Sequence, residues 1–143
     1  MIKISGYLEK DINYQVEYMK SINVLNISTE LMNDDCIPYD VSPAGIIWLD
    51  NDMLIGEIEY ICPIISENDI STGKNIDEVR GVPQLKIKFE EKSVEIFLSQ
   101  ERITVILDRE KMIDKRCISS NIVFYMSGDE IVAYECKDFI MVE

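Results

Sequence analysis

The sequence predicts a mainly β domain. Antiparallel hairpins and a meander form a sandwich or a partly open barrel with one or two short helices, and a β-rich α+β arrangement stays open. Three observations lead there. Isoleucine occurs 24 times and alanine only twice, and β-branched side chains fit a pleated surface better than a helix. Apolar residues alternate with polar ones in short runs such as Ile12, Tyr14, Val16 and Tyr18, the period of a half-buried strand. Between the runs stand Asp, Asn, Gly and Pro, which turn the chain.

Taken in order, IKISGYL and the alternating run 12–18 read as two strands in hairpin relation, and SINVLNIS as another extended stretch. The piece TELMNDD can make one helical turn capped by Ser28 or Thr29. Pro38, Pro43 and Gly45 make the following segment a loop. Residues 46–61 read as a β-hairpin about Asp50, Asn51 and Asp52, with Gly56 marking a bulge. Residues 63–83 are polar and punctuated by Pro63, Gly73, Gly81 and Pro83. A connection of that length is expected to be a flexible excursion, with a short helix around 76–80. From Gln84 the alternation predicts a three-strand meander ending at Leu107, then a helical turn in DREKMIDKR. A second hairpin turns about Ser127, Gly128 and Asp129, closed by FIMV. The two hairpins align at a spacing of 76, so an internal duplication stays open.

A chain of 143 residues matches one core, so residues 1–143 are expected to form a single domain. No apolar run reaches the ~20 residues that span a bilayer, and the opening MIKISGYLEKDIN meets acids too early for a signal peptide. A cytoplasmic location and no membrane association are therefore expected. The four cysteines form no C-x-x-C pair and histidine is absent. No metal and no cofactor are expected, and the thiols read as small buried apolar groups in a reducing compartment.

The formal charge of −13 is unevenly placed. Between Lys20 and Lys74 there is no basic residue, yet Glu30, Asp34, Asp35, Asp40, Asp50, Asp52, Glu57, Glu59, Glu67 and Asp69 all fall there. Such a run keeps a protein soluble. It also repels itself unless a basic partner neutralises it, which makes the segment half of an electrostatic interface. Nucleic acid is a poor ligand for such a chain, because phosphate binding needs clustered Lys and Arg. Without histidine the usual triads and Cys-His pairs cannot form, no phosphate-cradling glycine motif occurs, and no catalytic residue is expected. The partner-binding set is Asp34, Asp35, Tyr39, Asp40, Asp50, Asp52, Glu57 and Glu59. Tyr39, in a proline-bounded loop, is the expected exposed anchor, and Trp48 is expected in the core.

The string I-x-x-x-D-x-D-x-x-I-G-E-I-E over residues 46–59, in a small, acidic, β-rich, histidine-free chain, resembles the immunity proteins of bacterial toxin and immunity pairs, contact-dependent inhibition included. The resemblance implies a bacterial protein that binds a basic toxin domain, often a nuclease, and covers its active site. Two other classes stay open, a small-molecule-binding or carboxylate-dependent enzymatic β-barrel and a self-associating structural subunit.

Overall fold

A computed structural model describes residues 1–73 and 75–143. The described residues form fifteen strands in order: β1 Ile2–Leu8, β2 Gln15–Met19, β3 Val24–Ser28, β4 Ile37–Ser42, β5 Gly45–Leu49, β6 Ile55–Ile61, β7 Ile64–Ser66, β8 Asp77–Arg80, β9 Val82–Ile87, β10 Glu95–Leu98, β11 Ile103–Ile106, β12 Lys115–Ser119, β13 Ile122–Ser127, β14 Glu130–Cys136 and β15 Ile140–Val142. They make two mixed sheets in a sandwich-like all-β fold that does not close into a barrel. One runs β7-β10-β11-β14-β13-β12-β8, with β1 also on β14 and β9 on β1; the other runs β15-β2-β3-β6-β5-β4.

Both hairpins form. In the first, Asp50 Oδ1 accepts from the N–H groups of Asp52 and Leu54, at 2.9 and 3.0 Å. Ladder pairs Leu49–Ile55 and Trp48–Glu57 leave Gly56 as the extra bulged residue. In the second, Gly128 takes the positive φ, +63°, that a two-residue turn demands. The two hairpins lie in different sheets.

Several connections differ from the expectation. No helix forms among the described residues. In TELMNDD the Thr29 hydroxyl instead donates to Ile55 O at 2.8 Å, pinning the loop to the bulge. In DREKMIDKR the Lys111 ammonium is drawn to Glu130 at 2.7 Å, and residues 77–80 lie along β12 as the parallel strand β8. β1 and β2 are no hairpin: β1 pairs with β9 and β14, while β2 belongs to the other sheet. The meander is broken, since β9 pairs with β1 and only β10 and β11 are adjacent. FIMV likewise leaves its hairpin and pairs with β2.

The segment read as an excursion is a strap. β7 and β8 occupy opposite edges of the nine-stranded sheet, and the described residues between them, 67–73 and 75–76, lie over that sheet's outer face. Ile70 and Ile76 pack there on Val123, Tyr125 and Ala133. Arg102 holds Asp69 at 2.6 Å, and Arg109 donates to Ser66 Oγ, Asn68 O and Asp69 O. Arg109→Ala is expected to raise hydrogen exchange at amides 67–70 about tenfold while global stability moves by less than about 1 kcal/mol. Unchanged exchange would show that the strap is held by Arg102 and its isoleucines without help from Arg109.

The inner faces bury Val16, Leu25, Ile27, Ile47 and Ile58 against Ile96, Val105, Phe124 and Met126. At the centre the Tyr134 hydroxyl donates to the Tyr60 hydroxyl at 2.8 Å, satisfying two buried polar groups from opposite sheets. Near one end, Asn121 Oδ1 accepts from Tyr14 N–H at 3.1 Å, its Nδ2 donates to Tyr14 O at 2.7 Å, and the Tyr14 hydroxyl bonds Ser119 Oγ at 2.8 Å.

Candidate binding surface

The strap covers the outer face of one sheet and leaves that of the other bare. On the bare face the register sets Ile140, Glu17, Asn26, Glu59, Ile46 and Asp40 in one row, one from each strand. A second row holds Gln15, Ser28, Glu57, Trp48 and Pro38, and a third Val142, Met19, Val24 and Ile61. Strands lie ~4.8 Å apart, so Glu17, Glu59 and Asp40 recur at about 10 Å along their row. None of the six strands contains a lysine or arginine. The apolar members are partly open to solvent: Ile140 is 60% exposed, Ile61 48% and Val142 42%.

Of the ten acids between residues 30 and 69, ion pairs among the described residues involve only Asp52, with Lys10 at 3.7 Å, and Asp69, with Arg102. The later acids Glu95, Asp108 and Glu130 pair with Arg109, Lys92 and Lys111. Ion pairs thus gather on the strapped sheet, while among the described residues Glu17, Asp40, Glu57 and Glu59 of the bare face form none.

The structure divides the expected partner-binding set. Asp40, Glu57 and Glu59 share the bare face. Asp34 and Asp35 are exposed in the β3–β4 loop, at the end of the sheet where the β5–β6 turn also lies. In that turn Asp50 spends its carboxylate on backbone N–H groups, and Asp52 leans toward Lys10. The two aromatics exchange roles. Tyr39 is paired with inward-facing Ile47 and packs against the core, while Trp48, paired with Pro38, stands half-buried on the outer face. On a strand one step of parity decides the face. Glu17 joins the surface from outside the acid-rich run; the alternation of β2, with Val16 and Tyr18 buried, is the signal that turns it outward.

No family model and no curated protein matches the chain. Among the described residues no helix is long and apolar enough to cross a membrane. Among the described residues no group of three or more Cys, Asp or Glu side chains converges as a metal site. All four cysteines are free. Burial pushes the Cys117 thiol up to about 11 and Cys136 higher still, which keeps both protonated and poorly nucleophilic at neutral pH. Cys62 is the exposed thiol. The surface can therefore offer uncompensated carboxylates around an indole and a strip of aliphatic side chains, a chemistry suited to holding a cationic, partly apolar partner.

Proposed function

We propose that this chain is an inhibitory binding protein of the immunity kind, which lays the outer face of its six-stranded sheet over the basic active site of a toxin domain, a nuclease by preference. The observation that carries the reading is the face of six strands without a lysine or arginine, on which Asp40, Glu57 and Glu59 flank Trp48 and Ile46 and Glu17 lies farther along the same row as Glu59 and Asp40. Carboxylates steer encounter with a cationic surface, and the half-exposed indole and aliphatics slow release. Asp34 and Asp35 extend the negative field at the sheet's end.

Self-association through this face is disfavoured by the same charges. Two copies meeting there would oppose carboxylates with no base between them, and like charges across an interface cost several kcal/mol. A small-molecule barrel finds little support either. The hollow beside Glu90, Asp108 and Glu130 holds only about 30 Å³, room for a water molecule, and the larger ones, about 430 Å³ beside Asp11 and Glu30 and about 370 Å³ beside β15, are open depressions of the surface and not an enclosed barrel interior.

The test is co-expression with the toxin-like domain encoded directly upstream, if the neighbourhood supplies one, followed by association kinetics. The variant Glu17→Gln, Asp40→Asn, Glu57→Gln, Glu59→Gln is expected to associate at least about tenfold more slowly at low salt and to lose most of its salt dependence. Trp48→Ala is expected to act on dissociation. Rescue from toxicity that is indifferent to all five positions would overturn the reading.

A further inference from the structure

At one border of the bare face lies a groove of about 370 Å³ lined by Phe139 and Ile140 together with Gln15, Glu17 and Asp138, and by Tyr14 and Val16 where β2 begins. Its origin is a divergence of two neighbouring chains. β15 runs parallel to β2 with Ile140 beside Glu17, a register that continued backward would set Asp138 beside Gln15. The chain instead turns away there, because Asn121 holds it: Lys137 N–H donates to Asn121 O at 3.0 Å, and Asn121 Nδ2 to Asp138 O at 3.5 Å. Phe139 packs partly into the core, while Ile140 stays exposed. Among the described residues neither Glu17 nor Asp138 has an ion pair; the nearby Lys20 is engaged by Glu143.

We infer that this groove takes a single arginine side chain of the cationic partner, an inference that rests on the reading of the six-stranded sheet as the binding face. The groove is continuous with that face through Glu17, which belongs to both. A lining that combines Phe139 and Ile140 with the carboxylates of Glu17 and Asp138 complements a side chain whose stem is aliphatic and whose head is charged. Arginine fits better than lysine, since its planar guanidinium can lie on the Phe139 ring and present its fork to a carboxylate, whereas an ammonium is a more strongly hydrated point charge.

The test is a nitrogen-15 NMR titration of the full chain with capped Gly-Arg-Gly, against Gly-Lys-Gly and Gly-citrulline-Gly. The arginine peptide is expected to shift amides 15–17 and 138–140 with saturation in about the millimolar range, the lysine peptide to bind less well, and the uncharged citrulline peptide at least tenfold more weakly. Glu17→Gln with Asp138→Asn is expected to weaken the arginine peptide tenfold, and Phe139→Leu to erase its advantage over lysine. Equal binding of citrulline, shifts spread over every surface acid, or concentration-dependent shifts without peptide would overturn the inference. Shifts confined to residues 40, 57 and 59 would sink the groove and leave the binding face standing. No shift anywhere would count against both.

Discussion

Raising the pH from 8 toward 12 is expected to unfold the protein cooperatively between about pH 10 and 12. Burial pushes Tyr14 up to about 12 and raises Tyr60, Tyr134 and Cys136 further. Each is neutral when protonated, so a raised value in the folded state means that the fold binds the proton more tightly than the unfolded chain does. Its contribution is complete below the unfolded value, ~8.5 for cysteine and ~10 for tyrosine, and is lost as pH climbs through the folded value. With four protons held by the folded chain and released by the unfolded one, stability falls by about 5 kcal/mol per pH unit at its steepest. Typical domains have about 5–15 kcal/mol to lose. Cys117 and Tyr125, raised to about 11 and about 12 by burial, push the same way. In the absence of histidine no side chain of ordinary pKa titrates between about pH 6 and 8, so stability is expected to be flat there. Tyrosinate absorbance and far-ultraviolet circular dichroism followed together decide the matter. Seven tyrosines titrating smoothly near pH 10 with the fold intact would refute the expectation.

Those buried tyrosines also show how local pattern relates to this fold. The alternation of Ile12, Tyr14, Val16 and Tyr18 marks four buried side chains correctly, yet the ladder begins only at Gln15. At Tyr14 the backbone groups go to the Asn121 side chain and not to a neighbouring strand. Hairpins are readable because turn and both strands lie within some 15 residues; β5–β6 and β13–β14 carry their instructions in Asp50 and Gly128. Parallel pairings such as β7 with β10 and β8 with β12 have no such local signature. A segment rich in turn formers thus read as loose when its ends are edge strands and two of its isoleucines, Ile70 and Ile76, pack partly buried on the sheet beneath. On the bare face of the six-stranded sheet, the acid-rich run is visible in one dimension. That Glu17, Glu59 and Asp40 share a row depends on a register spanning six strands, and the exchange of Tyr39 for Trp48 depends on parity set by that same register.

Asn121→Ala is expected to cost about 2–5 kcal/mol, since it removes the partners of a backbone N–H and a C=O on a buried residue. Tyr14 is 2% exposed and Asn121 7%, and the bonds lost measure 3.1 and 2.7 Å. The side chain acts as a piece of strand would, closing a two-point ladder between the entry to β2 and the β12–β13 turn, where Ser120 takes a positive φ of 51°. Asn121→Asp separates the two bonds, because it keeps an acceptor for the Tyr14 N–H but puts a second carboxylate oxygen against the Tyr14 carbonyl. It is expected to lose at least as much as alanine at neutral pH. Ser119→Ala, which removes one hydroxyl from Tyr14, is expected to lose only about 1 kcal/mol. Urea midpoints at constant m-value measure all three; equal effects for Ser119→Ala and Asn121→Ala would show that Tyr14 is held by its ring against Phe124, 6.3 Å between centroids, and not by its backbone. Because Asn121 also fixes Asp138, the alanine variant is expected to loosen the groove beside β15, so that arginine-peptide binding weakens even under conditions where the variant remains folded. A stability clamp buried between the sheets then sets the shape of a surface on the outside.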